Sequence, residues 1–318
     1  MDEFYDRVGA ACALDEEARA RRAMAASSFN PIFQHLADLD LDLARVTESG
    51  AHRKAWKLCI PCKDDGVLDE IVFGIQGILS NVALVPTTSG KRVLPHFVSL
   101  ETRKAIRLGQ RAEICGMNTQ TFEEALNKLH GSHEKFQQYF GGQSILKISP
   151  QNSQFGRSIA TGNRIFTMRS DYPNEQSSSF EPGVDPMGAL ERLTSTEIFH
   201  SPDNVVKYFR RTKSNKECTT YEEWYPGPFK IGDIVELQAS LVAVQMVDNG
   251  VKITCRLHAI SLLNNMFTRR SQEATLRRAA SRRPPAATVA IRRRIGHFPS
   301  VVVEGEKSEG AESEDGTE

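Results

Sequence analysis

Two cysteines three positions apart are the first residues of this chain that could do chemistry. Cys59 and Cys62 form a C-x-x-C pair, a spacing that lets both thiolates bind one metal ion or form a local disulfide. A structural zinc site needs four ligands, and the chain has no second C-x-x-C. A turn sequence, KDDG, follows the pair where a thioredoxin-like motif would begin a helix. Two interpretations stay open: a thiol-based zinc or redox site, and two thiols at a strand end.

The sequence motifs of the common nucleotide-dependent and hydrolytic enzymes are absent. The chain has no G-x-x-x-x-G-K-[ST], no G-x-G-x-x-G, no G-x-S-x-G and no H-E-x-x-H. The acid pairs Asp64-Asp65 and Glu123-Glu124 lie in a predicted turn and at a predicted helix start, where carboxylates are ordinarily solvated or capping. An enzyme with a dispersed site stays an alternative, because active sites are assembled in space.

The strongest charge pattern lies near the end of the chain. Between Arg269 and Arg294 there are nine arginines and one glutamate, and between Glu304 and Glu318 there are seven acids and one lysine. The arginines are Arg269, Arg270, Arg277, Arg278, Arg282, Arg283, Arg292, Arg293 and Arg294. Such a run can follow a phosphate backbone, bind a nuclear import receptor, or stay solvated without either role.

A predicted β-hairpin over 231 to 263 combines strand periodicity with turn chemistry. From 251 to 259 apolar residues take the odd positions and polar residues the even ones, which is typical of a strand with one buried face. Asp248-Asn249-Gly250 supplies the tight turn to a partner strand. Past Leu241 the apolar residues change parity, which predicts a bulge or burial of both faces.

The polar face of this hairpin carries Lys252, Arg256 and His258. Strands of this kind resemble those of small Greek-key barrels of the OB type, in which a basic or aromatic strand face binds single-stranded nucleic acid. No aromatic residue interleaves with these cations, so a solvent-facing polar surface is the alternative.

Periodicity predicts the elements that come before the hairpin. Helices are expected over 2 to 26, 30 to 46, 100 to 108, 121 to 130 and 132 to 140; strands over 55 to 60, 70 to 75, 81 to 85, 92 to 98, 144 to 149 and 164 to 168. Thr121 and Glu124 have the spacing of a capping box. The turn formers between 170 and 186 predict a long surface loop.

The segment from about 185 to 263 resembles a recurrent protein type of mushroom-forming fungal genomes. The pieces DPMGALERL, HSPDNVVKYF, GDIVELQASLVAV and LHAISLLN carry the resemblance. It implies a nuclear, nucleic-acid-linked setting through an association with mobile elements, and no catalytic residues.

These patterns together predict an α+β protein. The expected parts are a helical and β-meander domain over 1 to 169, a linker over 170 to 186, a β-rich and OB-like subdomain over 187 to 267, and a disordered basic-then-acidic tail over 268 to 318. The start of the chain lacks a basic region followed by an apolar one, which predicts a protein that is not secreted, and no apolar run is long enough for a bilayer. The predicted function is non-enzymatic binding in the nucleus or cytoplasm, with nucleic acid, an import receptor or another protein as partner, and without a membrane.

Overall fold

A computed structural model describes residues 1–27, 33–49, 54–61, 67–84, 105–181, 183–213, 219–246 and 250–281. The helices of these residues are α1 (Arg7–Ser27), α2 (Gln120–Phe140) and α3 (Met266–Ser281). The strands are β1 (Phe33–His35), β2 (Arg45–Ser49), β3 (Ala55–Pro61), β4 (Leu68–Glu70), β5 (Val72–Ala83), β6 (Gly109–Cys115), β7 (Ile145–Leu146), β8 (Gln151–Ser153), β9 (Gly156–Arg164), β10 (Thr167–Met168), β11 (Ile198–Phe199), β12 (Lys207–Lys213), β13 (Thr219–Glu223), β14 (Ile234–Gln245) and β15 (Val251–Asn264).

Five of these strands close into a barrel. β14 pairs antiparallel with both β15 and β5, β5 pairs antiparallel with β6, and β6 pairs antiparallel with β9. β9 returns to β15 in a parallel contact at Gly162 opposite Arg256, which completes the ring. If β5, β6, β9, β14 and β15 are numbered 1 to 5 in chain order, the order around the ring is 1-2-3-5-4-1. This is the connectivity of an OB barrel. The predicted α+β class and the OB-like barrel are confirmed, with the barrel built from both halves of the chain.

Alternation along β14 and β15 fills the barrel interior. Leu237 pairs with Ile260 and Leu241 with Cys255, and all four side chains are buried. The ladder slips between Gln238 and Ala239, so the bulge comes earlier than the predicted parity change. Past Leu241 both faces are buried, which accounts for the apolar residues at successive positions there.

The sheet continues beyond the barrel on both sides. β12 pairs parallel with β15 and carries β13 on its other edge, while β3 pairs with β14 and carries β2. The strands before and after the predicted linker therefore share one sheet. Residues Met1–Leu276 form one compact unit by their contacts. The predicted domain division at 170 to 186 stays a prediction.

The N-terminal segment covers part of the barrel's outer face. Tyr5 and Leu14 pack with Ile78 and Ile234 of the barrel and with Phe267 of α3 in a small apolar cluster. The Tyr5 hydroxyl also donates to the carbonyl oxygen of Gly232 at 2.6 Å. Burial of these apolar groups fixes α1 and the start of α3 against the barrel.

A buried chain of hydrogen bonds anchors α1 further along. Arg21 Nε donates to Glu236 at 2.8 Å, and the amide nitrogen of Gln76 donates to the same carboxylate at 2.7 Å. Gln76 Oε1 lies 2.9 Å from His35 Nε2, and His35 Nδ1 accepts from Ala37 N at 3.1 Å. His35 is therefore the neutral tautomer with its proton on Nε2, consistent with burial, which lowers the pKa of this imidazole. Glu236 is fully buried and its charge is compensated by Arg21.

Several predicted elements differ from the structure. The helix predicted over 30 to 46 is replaced by β1, a short 3-10 turn and β2, because sheet pairing with β5 and β3 supplies the backbone hydrogen bonds. The helices predicted over 121 to 130 and 132 to 140 are one helix, α2. Thr121 does not cap it, since its hydroxyl donates to Asp15 at 2.8 Å and Thr119 is the N-cap residue.

Two strands predicted over 70 to 75 and 81 to 85 are one strand, β5. The strand predicted over 92 to 98, and the helix predicted over 100 to 108 up to residue 104, lie outside the described residues. The first part of the predicted disordered tail is helical, because α3 buries Phe267, Thr268 and Ser271 against the N-terminal segment. Among the described residues, every helix falls short of the length and apolarity that a bilayer span requires.

Two glycines test how the N-terminal segment is seated. Gly232 and Gly142 have φ of 100° and 102°, but a Cβ on Gly232 would lie 2.8 Å from Tyr5 Cε2, whereas a Cβ on Gly142 would meet nothing within 4 Å. We expect Gly142→Ala to lower the free energy of unfolding by about 1–3 kcal/mol through backbone strain, and Gly232→Ala to cost a further 1–3 kcal/mol or so through displacement of Tyr5. Urea titration measures both, and equal losses would contradict the seating of Tyr5 on Gly232.

Candidate nucleic-acid interface

The outer face of β6 and β9 combines long charged side chains with small ones. Across the ladder Arg111 lies opposite Gly162, Glu113 opposite Ala160, and Arg164 opposite Gly109. Each long side chain therefore faces a residue with little or no side chain, and the two arginines are diagonal neighbours. A Cβ on Gly162 would lie 3.0 Å from the carbonyl oxygen of Gln110, so the close approach of the two strands disfavours any larger residue.

This face is open, and it carries arginine side chains. Arg111 and Ala160 are exposed, and so is Arg107 in the turn before β6. Neither Arg107 nor Arg111 forms an ion pair with a carboxylate of the described residues. Glu113 accepts a hydrogen bond from Ser158 at 2.6 Å, which fixes its carboxylate at one end of the face. We call this surface, made by Arg107, Arg111, Ala160, Gly162 and Arg164, the β6–β9 face.

Several arginines elsewhere on the unit have acidic partners. Arg157 binds Glu123 at 2.7 Å, and Arg211 binds Glu17. Arg22 binds both Asp38 and Glu124, and Arg21 binds Glu236. These guanidinium groups hold elements together, which separates them in role from Arg111.

The cations predicted on β15 have different surroundings. Lys252 is exposed, whereas Arg256 binds Asp203 at 2.9 Å. Asp203 is shared with Lys57 at 3.1 Å, and Lys57 also binds Glu70 at 2.6 Å. Arg256 is thus engaged in an ion network that ties β15 to β3, β4 and the turn at Asp203. The prediction that Lys252, Arg256 and His258 contact nucleic acid stays a prediction. For Arg256, such a contact would require the ion network to open.

Charge pairing sets the ionisation of this network. Burial opposes ionisation of Glu70, but its contacts with His258 and the Lys57 ammonium outweigh burial and hold the pKa of this carboxyl well below its usual range. Burial likewise opposes ionisation of Asp203, and the charges of Lys57 and Arg256 lower its pKa overall. Both carboxylates are therefore ionised near neutral pH and act as structural counter-ions.

Ser240, His258 and Glu70 lie together but lack the geometry of a nucleophilic triad. Ser240 Oγ donates to Glu70 at 2.5 Å and lies 2.8 Å from His258 Nε2. Because the serine proton already points to Glu70, the imidazole N–H is the donor to Ser240, so His258 is not placed to accept the serine proton. Ser240 is also fully buried, so a substrate has no access to its hydroxyl.

Of the predicted thiol pair, only Cys59 lies among the described residues. Its side chain is buried, and burial raises the pKa of this thiol, which disfavours the thiolate that metal binding or redox exchange requires. Cys62 lies outside the described residues. Cys255 and His258 are also three positions apart, but Cys255 faces the barrel interior and His258 the outside. Within the described ranges no three His, Cys, Asp or Glu residues converge on a metal position. Zinc binding at Cys59 and Cys62 stays a prediction.

The arginines predicted in the tail fall into two groups. Arg269, Arg270, Arg277 and Arg278 belong to α3, and Arg269 and Arg270 are exposed. Arg282, Arg283, Arg292, Arg293 and Arg294 lie outside the described residues. The run of Ala, Leu, Glu, Gln and Arg after Phe267 has high helix propensity, a signal that the composition argument for disorder did not weigh.

Comparison with known proteins gives a distant structural similarity. No protein-family profile matches the chain, and no curated protein matches it. Among solved structures it is similar to the crystal structure of gp2.5, a single-stranded DNA binding protein encoded by bacteriophage T7, with 11% sequence identity and a TM-score of 0.34 over 61% of this chain and 86% of that chain. The barrel assignment rests on the strand pairings described above.

The ion network makes a prediction about stability and pH. We expect Lys57→Gln to lower the free energy of unfolding by about 1–3 kcal/mol, since it leaves Glu70 partly buried without its ammonium partner. The depressed pKa of Glu70 stabilises the fold above the carboxyl's unfolded pKa of about 4.3, and this contribution is lost as the pH falls through the folded value. The difference in the free energy of unfolding between wild type and Lys57→Gln should therefore be largest near neutral pH and become smaller below about pH 4.

Lys54→Gln is the matched control for this experiment. Lys54 pairs with Glu48 at 3.4 Å, but both side chains are largely exposed, so we expect a change below about 1 kcal/mol. Urea titration at several pH values measures both variants, and similar losses for the two lysines would contradict the structural role of the network.

Proposed function

We propose that this protein binds single-stranded nucleic acid without catalysing a reaction, and that the β6–β9 face is its principal contact surface. One observation carries the proposal: on the outer face of an OB barrel, the second strand and the turn before it present two exposed arginines, Arg111 and Arg107, that form no ion pair with a described carboxylate. That face is the surface through which OB barrels bind oligonucleotides and oligosaccharides. Positive charge selects nucleic acid between these two ligand classes, since a phosphate backbone is polyanionic.

The arrangement of side chains supports a strand lying flat on the sheet. Gly162 and Ala160 leave room beside Arg111 and Glu113, so the backbone of the ligand can approach the strands. Arg111 and Arg107 can donate to phosphate oxygens, with charge-assisted hydrogen bonds as the main source of affinity. Contacts of this kind fix the position of a strand and carry no sequence information.

The arginine run adds a second source of attraction. Arg269 and Arg270 are exposed on α3, and further arginines follow in the sequence. A run of this charge increases association with any polyanion and strengthens the dependence on salt. A nuclear location, which an arginine-rich run favours, stays a prediction.

The proposal predicts the effect of removing one arginine from the face. Binding is measured by fluorescence anisotropy with a labelled single strand of about 16 nucleotides, the upper site size of an OB barrel, between about 50 and 200 mM salt. We expect Arg111→Ala to weaken binding by roughly tenfold and to reduce the slope of log affinity against log salt by about one. Arg45→Ala is the matched control, because Arg45 on β2 is also exposed and forms no ion pair with a described carboxylate.

A further variant separates the contribution of the barrel from that of the tail. Replacing Arg282, Arg283, Arg292, Arg293 and Arg294 by glutamine in the full chain should weaken binding at low salt and leave the ratio between wild type and Arg111→Ala unchanged. If Arg111→Ala and Arg45→Ala weaken binding equally, or if no binding occurs at the lowest salt concentration, the β6–β9 face is not the contact surface.

A further inference from the structure

A cavity of about 420 Å³ lies beside β12, outside the barrel. Its walls come from β12, from the residues that follow β13, and from the turn near Gly183. The lining residues are Glu181, Gly183, Lys207, Tyr208, Phe209, Glu223, Trp224 and Tyr225. Its volume is that of a pocket for a small ligand or one group of a larger one.

The aromatic residues of the cavity are held rigidly. Trp224 N donates to the carbonyl oxygen of Tyr208 at 2.8 Å, which continues the pairing of β12 with β13 and fixes the backbone at Trp224. The rings of Trp224 and Tyr225 lie 5.0 Å apart at an angle of 31°. Tyr225 is 43% exposed, so this wall is open to a ligand. Gly183 lets the opposite turn close on it, since a Cβ there would lie 2.7 Å from Tyr225 Cβ.

Trp224 packs against the main apolar cluster but leaves one polar atom unpaired. The indole Nε1 of Trp224 is buried and has no hydrogen-bond acceptor among the described residues, a cost that phenylalanine would avoid. Arg210 lies over the indole at 4.9 Å from the ring centroid, so one region of the ring already holds a cation. The part of Trp224 that lines the cavity beside Tyr225 is the surface that a planar ligand can reach.

The charges around the cavity indicate which planar ligand fits. The lining carries charges of both signs, Glu181 and Glu223 beside Lys207. Arg210 over the indole lies opposite Glu222 on the ladder of β12 and β13, so this second pair adds no net charge. A lining with charges of both signs favours neither a simple anion nor a simple cation. Carboxylates accept hydrogen bonds from N–H groups and the cations donate to oxygens, so a flat, uncharged ring with both kinds of group is complementary. A nucleobase has these properties.

The cavity also lies along the sheet from the β6–β9 face. β9 and β12 pair with the same edge of β15, one after the other: β9 contacts it at Arg256, and β12 pairs with it from Ala259 onward. A strand that follows β9 toward the end of the barrel therefore arrives at Lys207, the first residue of β12 and a wall of the cavity.

We infer that this cavity is a binding pocket for a single nucleobase, stacked on Trp224 and Tyr225 and hydrogen-bonded through Glu223 or Glu181. The base comes either from a bound strand or from a free nucleotide. The strand-borne case rests on the proposed function, whereas the free nucleotide does not require it.

Tryptophan fluorescence reports on the pocket directly. The chain has two tryptophans, so a Trp56→Phe background leaves Trp224 as the only one. The probes are adenosine, cytidine and uridine 5′-monophosphates and an unlabelled single strand of about 16 nucleotides. Stacking of a base on the indole quenches its emission, and we expect saturable quenching by at least one of these probes. Quenching by the strand alone identifies a strand-borne base, and quenching by the monophosphates alone identifies a free nucleotide.

Two variants in this background test the residues. Tyr225→Ala should weaken binding of the ligand that quenches Trp224 by about tenfold, the order expected of one lost stacking contact. Tyr139→Ala is the matched control, because Tyr139 on α2 is 49% exposed and also lies beside another aromatic ring, that of Phe140, at 5.1 Å. Glu223→Gln removes one carboxylate from an exposed position. It should weaken the binding of the adenosine and cytidine monophosphates more than that of uridine monophosphate, because uracil has no exocyclic amino group.

The outcomes separate this inference from the proposed function. If no probe quenches Trp224, or if Tyr225→Ala and Tyr139→Ala have equal effects, the pocket does not bind a base, even when the strand binds through Arg111. If monophosphates quench Trp224 while the anisotropy experiment detects no strand, the pocket stands and the β6–β9 proposal fails.

Discussion

Pairing of β14 along both of its edges is the interaction on which the rest of the structure depends. One edge joins β15 and the other joins β5 and then β3, so this strand connects the two halves of the barrel and extends the sheet beyond it. Its inward side chains from Val235 to Ala243 are buried, and among the outward ones Glu236 and Ser240 are buried as well. A strand covered on both faces needs partners for its polar groups, which explains why α1 supplies Arg21 to Glu236 and why β4 supplies Glu70 to Ser240.

This requirement divides the charged residues into two populations. Arginine and lysine side chains over the covered faces are paired with acids in partly buried networks, where each charge has a fixed partner. The β6–β9 face is not covered in this way, and its Arg111 stays available for an external anion. The same physical rule, that charge is compensated where water is excluded, therefore distinguishes structural cations from candidate binding ones. Position along the sequence does not distinguish them, since Arg256 and Arg111 both occupy outward positions of barrel strands.

The hairpin could be predicted from sequence because its interior positions are apolar and its turn is local. The strands of the candidate interface could not, because Gln110 on β6 and Thr161 and Asn163 on β9 face inward and remove the alternation of apolar and polar residues. Their burial is stabilised by distant partners: Tyr208 donates to Gln110, Thr161 to the carbonyl of Ala112, and Asn163 to the carbonyl of Leu257. Contacts this far apart in sequence leave no local pattern. The cavity on β12 is equally non-local, since its walls lie on separate segments.

Closure of the barrel by the last two strands affects how the protein is made. During synthesis β5, β6 and β9 leave the ribosome well before β14 and β15, so the nascent chain carries strand edges that cannot yet find their partners. The N-terminal segment completes its contacts later still, because Asp2 accepts a hydrogen bond from Ser271 of α3. Pairings of such long sequence separation fold slowly, and chaperones would have their longest opportunity to bind while the middle of the chain is exposed.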